Sequence, residues 1–380
     1  MIRAVLIICI FICITNADEF ANYLDKQIKQ TQTTPKDINN SLTLYKEAYK
    51  KAFKEYNLNI KKNFPSIEIT RDNLWVQYKE NYTQKMMIDF AKSKLIFEVV
   101  ALSEKDAQTK ILKLYDELYS YDVKKAFYND LLEKMISKNL NKVLEVPDEN
   151  QKLLADMISK IKYKQIREKL ILKTFKKIKY NDKLVYKVNI DLPKDFNREK
   201  SRLYKEYIVK QSDKLYIEAS LIYAIIDANS GFNPMSKSKY LGFGLMHITS
   251  EKSGLQSYKY LTGYTKYLSS NYLYNTKNNI QLGTTYLKIL FYDDLEDIKN
   301  FKSRWYCTIV GYKVGSINLA KAFVKNGNIN DAIKIMNTMS SDQVYKRLMK
   351  KLPNKDTRKY LFRVIRLVKK YQKLLGTNKI

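Results

Sequence analysis

From about residue 198 to 373 the apolar positions recur every three or four residues, broken at Pro234, Gly242, Gly244, Gly263, Gly327 and Pro353. That period gives each segment one buried stripe, so a compact multi-helix domain is expected there. Strand signals vanish over the same stretch. The chain holds 10 glycines in 380 residues, far below the usual share of ~7%. Such scarcity argues against Gly-rich phosphate loops and tight all-β architectures.

Upstream the texture differs. Ile38, Leu42, Tyr45, Tyr49, Ala52 and Tyr56 repeat at helical spacing between Pro35 and Pro65, which predicts one long amphipathic helix. Residues 75–78, 86–90 and 95–101 are short apolar and aromatic runs with strand character. Ala107, Ile111, Leu114, Tyr115 and Leu118 mark a helix, and more helical sequence is expected through 131–173. Residues 184–192 then alternate as a half-buried strand closed by Pro193. The fold class expected is α+β, with a leader at 1–17, an amphipathic helical segment at 18–64, a mixed α+β module at 65–195 and the helical domain at 196–375. The Lys-rich runs at 173–183 and 346–351 read as solvated faces. No internal repeat is visible.

Charge and the first residues bear on compartment. Sixty-nine Lys and Arg against 39 Asp and Glu give a formal net charge of +30, which suits anionic partners without choosing among nucleic acid, headgroups and wall polymer. Met1-Ile2-Arg3, an apolar run at 4–14 and the small residues Thr15-Asn16-Ala17 form a secretory signal peptide. A run of about eleven residues is too short to cross ~30 Å of hydrocarbon as a helix, so a permanent anchor is the lesser alternative. Ile10-Phe11-Ile12 before Cys13 does not resemble a lipoprotein cleavage box. Once the leader is gone only Cys307 remains, and with one histidine in the chain neither a disulfide framework nor a multi-ligand zinc site can be assembled. No cofactor or metal is expected. The leader, and the lack of a recognisable binding motif, speak against nucleic acid as partner.

Chemistry is expected where polar residues and glycines interrupt the helices. Leu221-Ile222-Tyr223-Ala224-Ile225-Ile226-Asp227-Ala228-Asn229-Ser230-Gly231-Phe232-Asn233-Pro234 reads as a buried helix ending at Gly231 and a turn at Asn233-Pro234. Gly242-Phe243-Gly244-Leu245-Met246-His247-Ile248 follows as a Gly-x-Gly loop. Read without precedent, all of this is equally a core helix and its turns.

The stretch resembles the E-S-x-F-N-P…G-x-x-G-L-M-Q pattern of the soluble lytic transglycosylase family, with the first loop glycine one place late at Gly242. Asn279-Ile280, Gly283 and Tyr286-Leu287 are similar to its N-I-x-x-G-x-x-Y-L helix, and Gly311-Tyr312 stands at its A-Y-N-G-G. Asn337-Thr338-Met339, Val344-Tyr345 and Thr357-Arg358-Lys359-Tyr360-Leu361 follow at the spacing of one subfamily, the membrane-bound lytic murein transglycosylase C type. Tyr78 with Met87-Ile88-Asp89-Phe90, and residues 185–190, look like strands of that subfamily's N-terminal domain. The resemblance covers roughly residues 70–372.

What it implies is a goose-type lysozyme-like helical domain acting on peptidoglycan glycan strands in the periplasm or cell envelope, with no metal and no cofactor. A single glutamic acid protonates the oxygen leaving the β-1,4 bond of N-acetylmuramic acid. As carboxylate it then takes a proton from the sugar's own 6-hydroxyl, closing a 1,6-anhydro ring. One group doing both jobs must titrate near neutrality, which burial brings about for a carboxyl. The two-carboxylate scheme of most glycoside hydrolases is not used.

The glutamate's position is Asn229 here. An amide does not titrate near neutral pH, so it cannot serve as acid and then base. Asp227 lies ~200° around the helix from it, and Glu218 lies ~16 Å down the axis, so neither is a convincing substitute. His247 stands where the family has Gln, Lys313 where it has Asn and Val314 where it has its first Gly. The lone histidine admits a titrating role or a structural one. Lys313 either neutralises substrate carboxylates or is solvated. Resemblance places Ser230, Phe232, Gly244, Leu245, Met246, His247, Tyr312, Lys313 and Tyr360 in the substrate groove, the aromatic rings facing sugar. Gly244 and Met246 equally read as tight-turn and core residues. Two functions therefore compete: a murein transglycosylase of weak or no turnover, and a noncatalytic scaffold binding glycan or other cell-wall enzymes. Membrane association would follow from an uncleaved leader.

Overall fold

The structure is a computed structural model that describes residues 36–376. The expected signal peptide at 1–17 lies outside the described residues. The chain divides into two compact units that interleave in sequence. The first takes 36–204 of the described chain together with Asn229–Leu255 and Lys266–Asn279, and the second takes Lys205–Ala228, Gln256–Thr265 and 280–376.

Unit one is built on a five-stranded antiparallel sheet of order β1-β2-β3-β5-β4. Its strands are β1 (Leu74–Lys79), β2 (Gln84–Asp89), β3 (Lys94–Val100), β4 (Lys176–Tyr180) and β5 (Lys183–Asp191). Alternation sends Val76, Tyr78, Met87 and Val185 to one face, where the helix Lys36–Lys61 packs through Ala52, Phe53, Tyr56 and Ile60. Phe97 and Trp75 point the other way. They meet Tyr115 and Tyr121 edge-on at 6.3 and 6.1 Å, which seats the helix Glu104–Ser120. The long helix ends at Lys61, four residues before Pro65, as the proline requires.

The helix-covered face also holds charge. Register places Lys85 opposite Glu98 and Glu98 opposite Lys187. The ammonium of Lys85 lies 2.6 Å from Glu98 and 2.5 Å from Glu68, and Lys187 reaches Glu98 at 2.7 Å. Lys85 has no exposed surface and sits 4.6 Å over the Phe64 ring. Buried ions persist only when paired, so this row locks the register of three strands.

Two stretches differ from the reading of the sequence. Only 131–139 and 160–171 of the expected helical run are helical. Asn141 adopts a left-handed φ of 51°, and Pro147 cannot donate a helical hydrogen bond, so the intervening segment is irregular and pairs as a single bridge, Lys152 with Asp122. The supposed solvated run at 173–183 contains β4. This edge strand alternates exposed lysines with half-buried Ile178 and turns at Asn181, and its lysines protect the open edge from pairing with another chain.

Unit two is helical, as expected. Leu221 to Ile226 are all buried, so the helix Ala219–Asn229 is apolar all round and forms the centre of this unit up to Ala228. Tyr223 stacks on Tyr371 of the helix Lys355–Leu375 at 5.0 Å. Gly311, in the helix Phe301–Val314, leaves room for Leu290, which a Cβ there would meet at 3.3 Å. Leu290 belongs to a π-helical turn, Ile289–Asp294, that periodicity did not disclose. The domain expected to be all-helical also holds one two-residue ladder, β6 (Gly242–Phe243) with β7 (Ile248–Thr249), in the part that belongs to unit one. Among the described residues no helix is long and apolar enough to cross a membrane.

The buried ion row gives a direct test. Glu98→Gln leaves Lys85 and Lys187 short of one carboxylate, and the free energy of unfolding in urea should fall by about 3 kcal/mol. A loss below ~1 kcal/mol would mean that apolar packing alone holds the register.

Candidate active site

Asn229 is the last residue of its helix, and the chain leaves that helix through Ser230 and Gly231. Gly231 has φ +59°, and a Cβ there would come within 3.0 Å of the Asn73 Cβ, so the residue is required by both conformation and space. Ser230 Oγ accepts from Phe232 N at 3.2 Å, and Asn233 Oδ1 accepts from Met235 N at 3.0 Å, forming the turn expected at Asn233-Pro234. Phe232 is fully buried and lies parallel to Tyr204 at 5.9 Å. Its ring is spent on packing inside unit one.

The Gly-x-Gly loop is shaped by a residue outside it. Asn279 Nδ2 donates to Phe243 O at 2.8 Å and to Leu273 O at 2.7 Å, while its Oδ1 accepts from Met246 N at 2.8 Å. Gly244, at φ +72°, presses against that amide: a Cβ would stand 2.4 Å from Nδ2. No other residue fits. The turn so fixed brings the Met246 carbonyl to 3.3 Å from Asn229 Nδ2, which donates to it. Asn229, Leu245 and Met246 are all buried.

His247, at φ +55°, places Nε2 2.7 Å from Ser236 Oγ. The Ser236 hydroxyl donates to Asp72 O at 2.5 Å, so its proton is committed and Nε2–H must be the donor to Ser236. A Ser–His nucleophile needs the opposite polarity, with the serine giving its proton to the ring. The imidazole therefore supplies an N–H at this point, as a glutamine amide also can.

The other expected residues belong to unit two. Tyr312 lies 5.5 Å from Tyr286, and burial raises its phenol well above the ordinary value, which keeps it neutral. Lys313 is half-buried, its ammonium 4.8 Å over the Tyr360 ring in a cation–π contact. Asp227 is already engaged: its carboxylate accepts from Tyr371 Oη at 2.8 Å and Lys370 Nζ at 3.1 Å, with Arg363 at 3.7 Å. Glu218, at the far end of the same helix, accepts from Ser220 Oγ at 3.2 Å. The structure thus gathers Asn229, Ser230, Phe232, Gly244, Leu245, Met246 and His247 in unit one, and Tyr312, Lys313 and Tyr360 in unit two.

One acid escaped the sequence reading. Glu251 lies in unit one, two residues after β7, buried, with Oε1 lacking a hydrogen-bond partner among the described residues. Burial raises its carboxyl to about 8. Flanked by Ser250 and Lys252, it looks like a surface loop residue in sequence. Its only sequence signal is proximity to the Gly-x-Gly turn.

Residues 206–335 match the family described as Transglycosylase SLT domain, so the chain carries that domain. It is similar to membrane-bound lytic murein transglycosylase C of Yersinia pestis and of Yersinia pseudotuberculosis, in each case 28% identical over 313 residues that cover 79% of this chain and 82% of the relative. Among solved structures, the lytic transglycosylase Slt of Pseudomonas aeruginosa shares 14% identity at a TM-score of 0.37, over 73% of this chain and 32% of that one. The 70 kDa soluble lytic transglycosylase of Escherichia coli gives 14% and 0.34, over 72% of this chain and 44% of that one. This chain spans less than half the length of either, and the likeness is too slight to assign anything from.

Glu251 has a measurable signature. Its unfolded-state pKa is ~4.3 and its folded value is raised to about 8, so its contribution to stability is complete below about pH 4.5, declines as pH rises, and is gone above about pH 8. Glu251→Gln should flatten the stability–pH curve across that window, by a few kcal/mol at its alkaline end, in denaturant titrations at several pH values. Parallel curves for the two proteins would show that the carboxyl is solvated.

Proposed function

We propose that the chain is an exported, peptidoglycan-directed member of the lytic transglycosylases whose turnover on the β-1,4 glycan bond is weak or absent, because Asn229 occupies the place of the family's glutamic acid. The observation that carries this reading is the Asn229 amide, buried and donating to Met246 O. General acid–base catalysis contributes typically ~10²- to 10⁴-fold, and an amide can supply neither half of it. Asp227 is held by Tyr371, Lys370 and Arg363, which leaves it a poor replacement.

The surroundings of Asn229 still suit an acid. A carbonyl facing a side chain repels a carboxylate and accepts from a carboxylic acid, so Met246 O would favour the protonated form of a glutamic acid at this position. Such a pKa is what donation to the glycosidic oxygen, followed by uptake of the 6-hydroxyl proton, demands. Tyr312 and Tyr360 supply aromatic faces for sugar and Lys313 a cation for the carboxylates of the stem peptides. The SLT match at 206–335 and the murein transglycosylases to which the chain is similar support the substrate class and the cell envelope as its place. A noncatalytic scaffold that holds glycan or presents it to other wall enzymes is the second reading, favoured by the same amide. Attachment to a membrane through a retained leader belongs with either.

The experiment is restoration. Asn229→Glu incubated with purified murein should release 1,6-anhydro muropeptides at least ~100-fold faster than the unaltered chain. Its pH profile should fall on the alkaline side through a pKa above the ordinary glutamate value. Equal rates in the two proteins would refute the assignment of Asn229. The scaffold reading adds that Asn229→Ala binds murein as tightly as the unaltered chain.

A further inference from the structure

Unit two exposes aromatic rings other than Tyr312 and Tyr360. Tyr216 sits in the link between the helices Lys205–Leu215 and Ala219–Asn229, thirteen residues before Asn229. Its backbone is left-handed, at φ +56°, and its side chain is 79% exposed. A bulky residue in that conformation is strained, and such strain persists only where surrounding contacts impose it. Here the contact is Tyr292 Oη, which donates to Tyr216 O at 2.9 Å. Tyr292 lies in the π-helical turn Ile289–Asp294, a distortion found mostly as single turns and frequently at functional sites. Beside it the Lys288 ammonium stands 5.1 Å from the Tyr292 ring and 5.7 Å from the ring of Tyr260, which is exposed on the helix Ser253–Thr262.

Two exposed tyrosines, Tyr260 and Tyr292, thus flank one cation, and Tyr292 bonds the strained link that carries the exposed Tyr216. Core packing does not explain them, since the rings face solvent. The chemistry of the patch narrows its ligand. Asp293 and Asp294 are exposed next to Tyr292, so a polyanion such as nucleic acid would be repelled. The exposed carboxylates also disfavour insertion into a bilayer. A pyranose fits: its C–H face lies on a phenol ring, its hydroxyls donate to the aspartates, and its amide carbonyl or ring substituents accept from Lys288.

We infer that Tyr216, Tyr260, Tyr292 and Lys288, none of them among the expected groove residues, form a carbohydrate-binding platform that holds a further part of an amino-sugar polymer. The polymer's identity as peptidoglycan glycan rests on the function proposed above. A platform of this kind keeps an exported protein on its polymer whether or not it turns over.

The test is co-sedimentation with purified murein sacculi. Tyr216→Ala combined with Tyr292→Ala should weaken binding about tenfold, and Tyr260→Ala alone about threefold. Tyr128→Ala, an exposed tyrosine of unit one beside Lys134, should bind as the unaltered chain does. Tyr292→Phe keeps the ring while losing the bond to Tyr216 O, and should cost less than Tyr292→Ala. Thermal unfolding monitors each variant, and Tyr260→Ala keeps the test decisive should the double variant fail to fold. Full binding by a folded double variant, or by Tyr260→Ala, overturns the platform and leaves the proposed function standing. Failure of the unaltered chain to bind sacculi overturns the proposed function first. Tyr-dependent binding to phosphatidylglycerol vesicles with none to sacculi would overturn the platform in favour of a membrane contact.

Discussion

The side chain of Asn279 makes three hydrogen bonds into a turn it does not belong to, at Phe243 O, Leu273 O and Met246 N. Because Gly244 has no Cβ, the amide can approach that closely, and because it does, the Met246 carbonyl has one direction available. Asn229 then meets a fixed acceptor. Everything chemical about the site follows from this alignment: a donor at position 229 is satisfied, and an anion there is penalised. An asparagine satisfies the acceptor permanently. A titrating acid would satisfy it only when protonated, which is the tension a proton-transferring group needs.

His247 extends the same logic. With the Ser236 proton given to Asp72 O, the ring is fixed as a donor and does not activate a hydroxyl. Asn229 and His247 thus both act as hydrogen-bond donors here, to Met246 O and to Ser236 Oγ. In the second unit the half-buried Lys313 sets its ammonium 4.8 Å over the Tyr360 ring.

Much of this was legible in the sequence, and the remainder has specific physical reasons. Apolar and aromatic runs disclosed β1, β2 and β3, alternation disclosed β5, and a 3.6-residue period disclosed the helix Lys36–Lys61. β4 escaped because its outward lysines look like a solvated run, and the loss of helix after Asn139 escaped because apolar spacing continued through residues whose backbone could not follow it. The ordered motif around Asn229 was legible, as were Gly244 and Met246, since tight turns and helix ends constrain residue type locally. The role of Asn279 was not, because its partners lie up to 36 residues away and only the fold joins them. Phe232 shows the converse: an aromatic expected against sugar, whose ring is consumed by Tyr204. Glu251 was invisible because burial, which raises its carboxyl, leaves no trace in a loop of mixed polarity.

The central chemical question is whether this chain, as it stands, can shuttle a proton. Mass spectrometry of sacculi incubated with the unaltered, hydrolase-free protein decides it. The predicted spectrum has no 1,6-anhydromuramyl fragments above a protein-free control, while the sacculi retain the protein; a steady, enzyme-dependent rise in those fragments would contradict the claim.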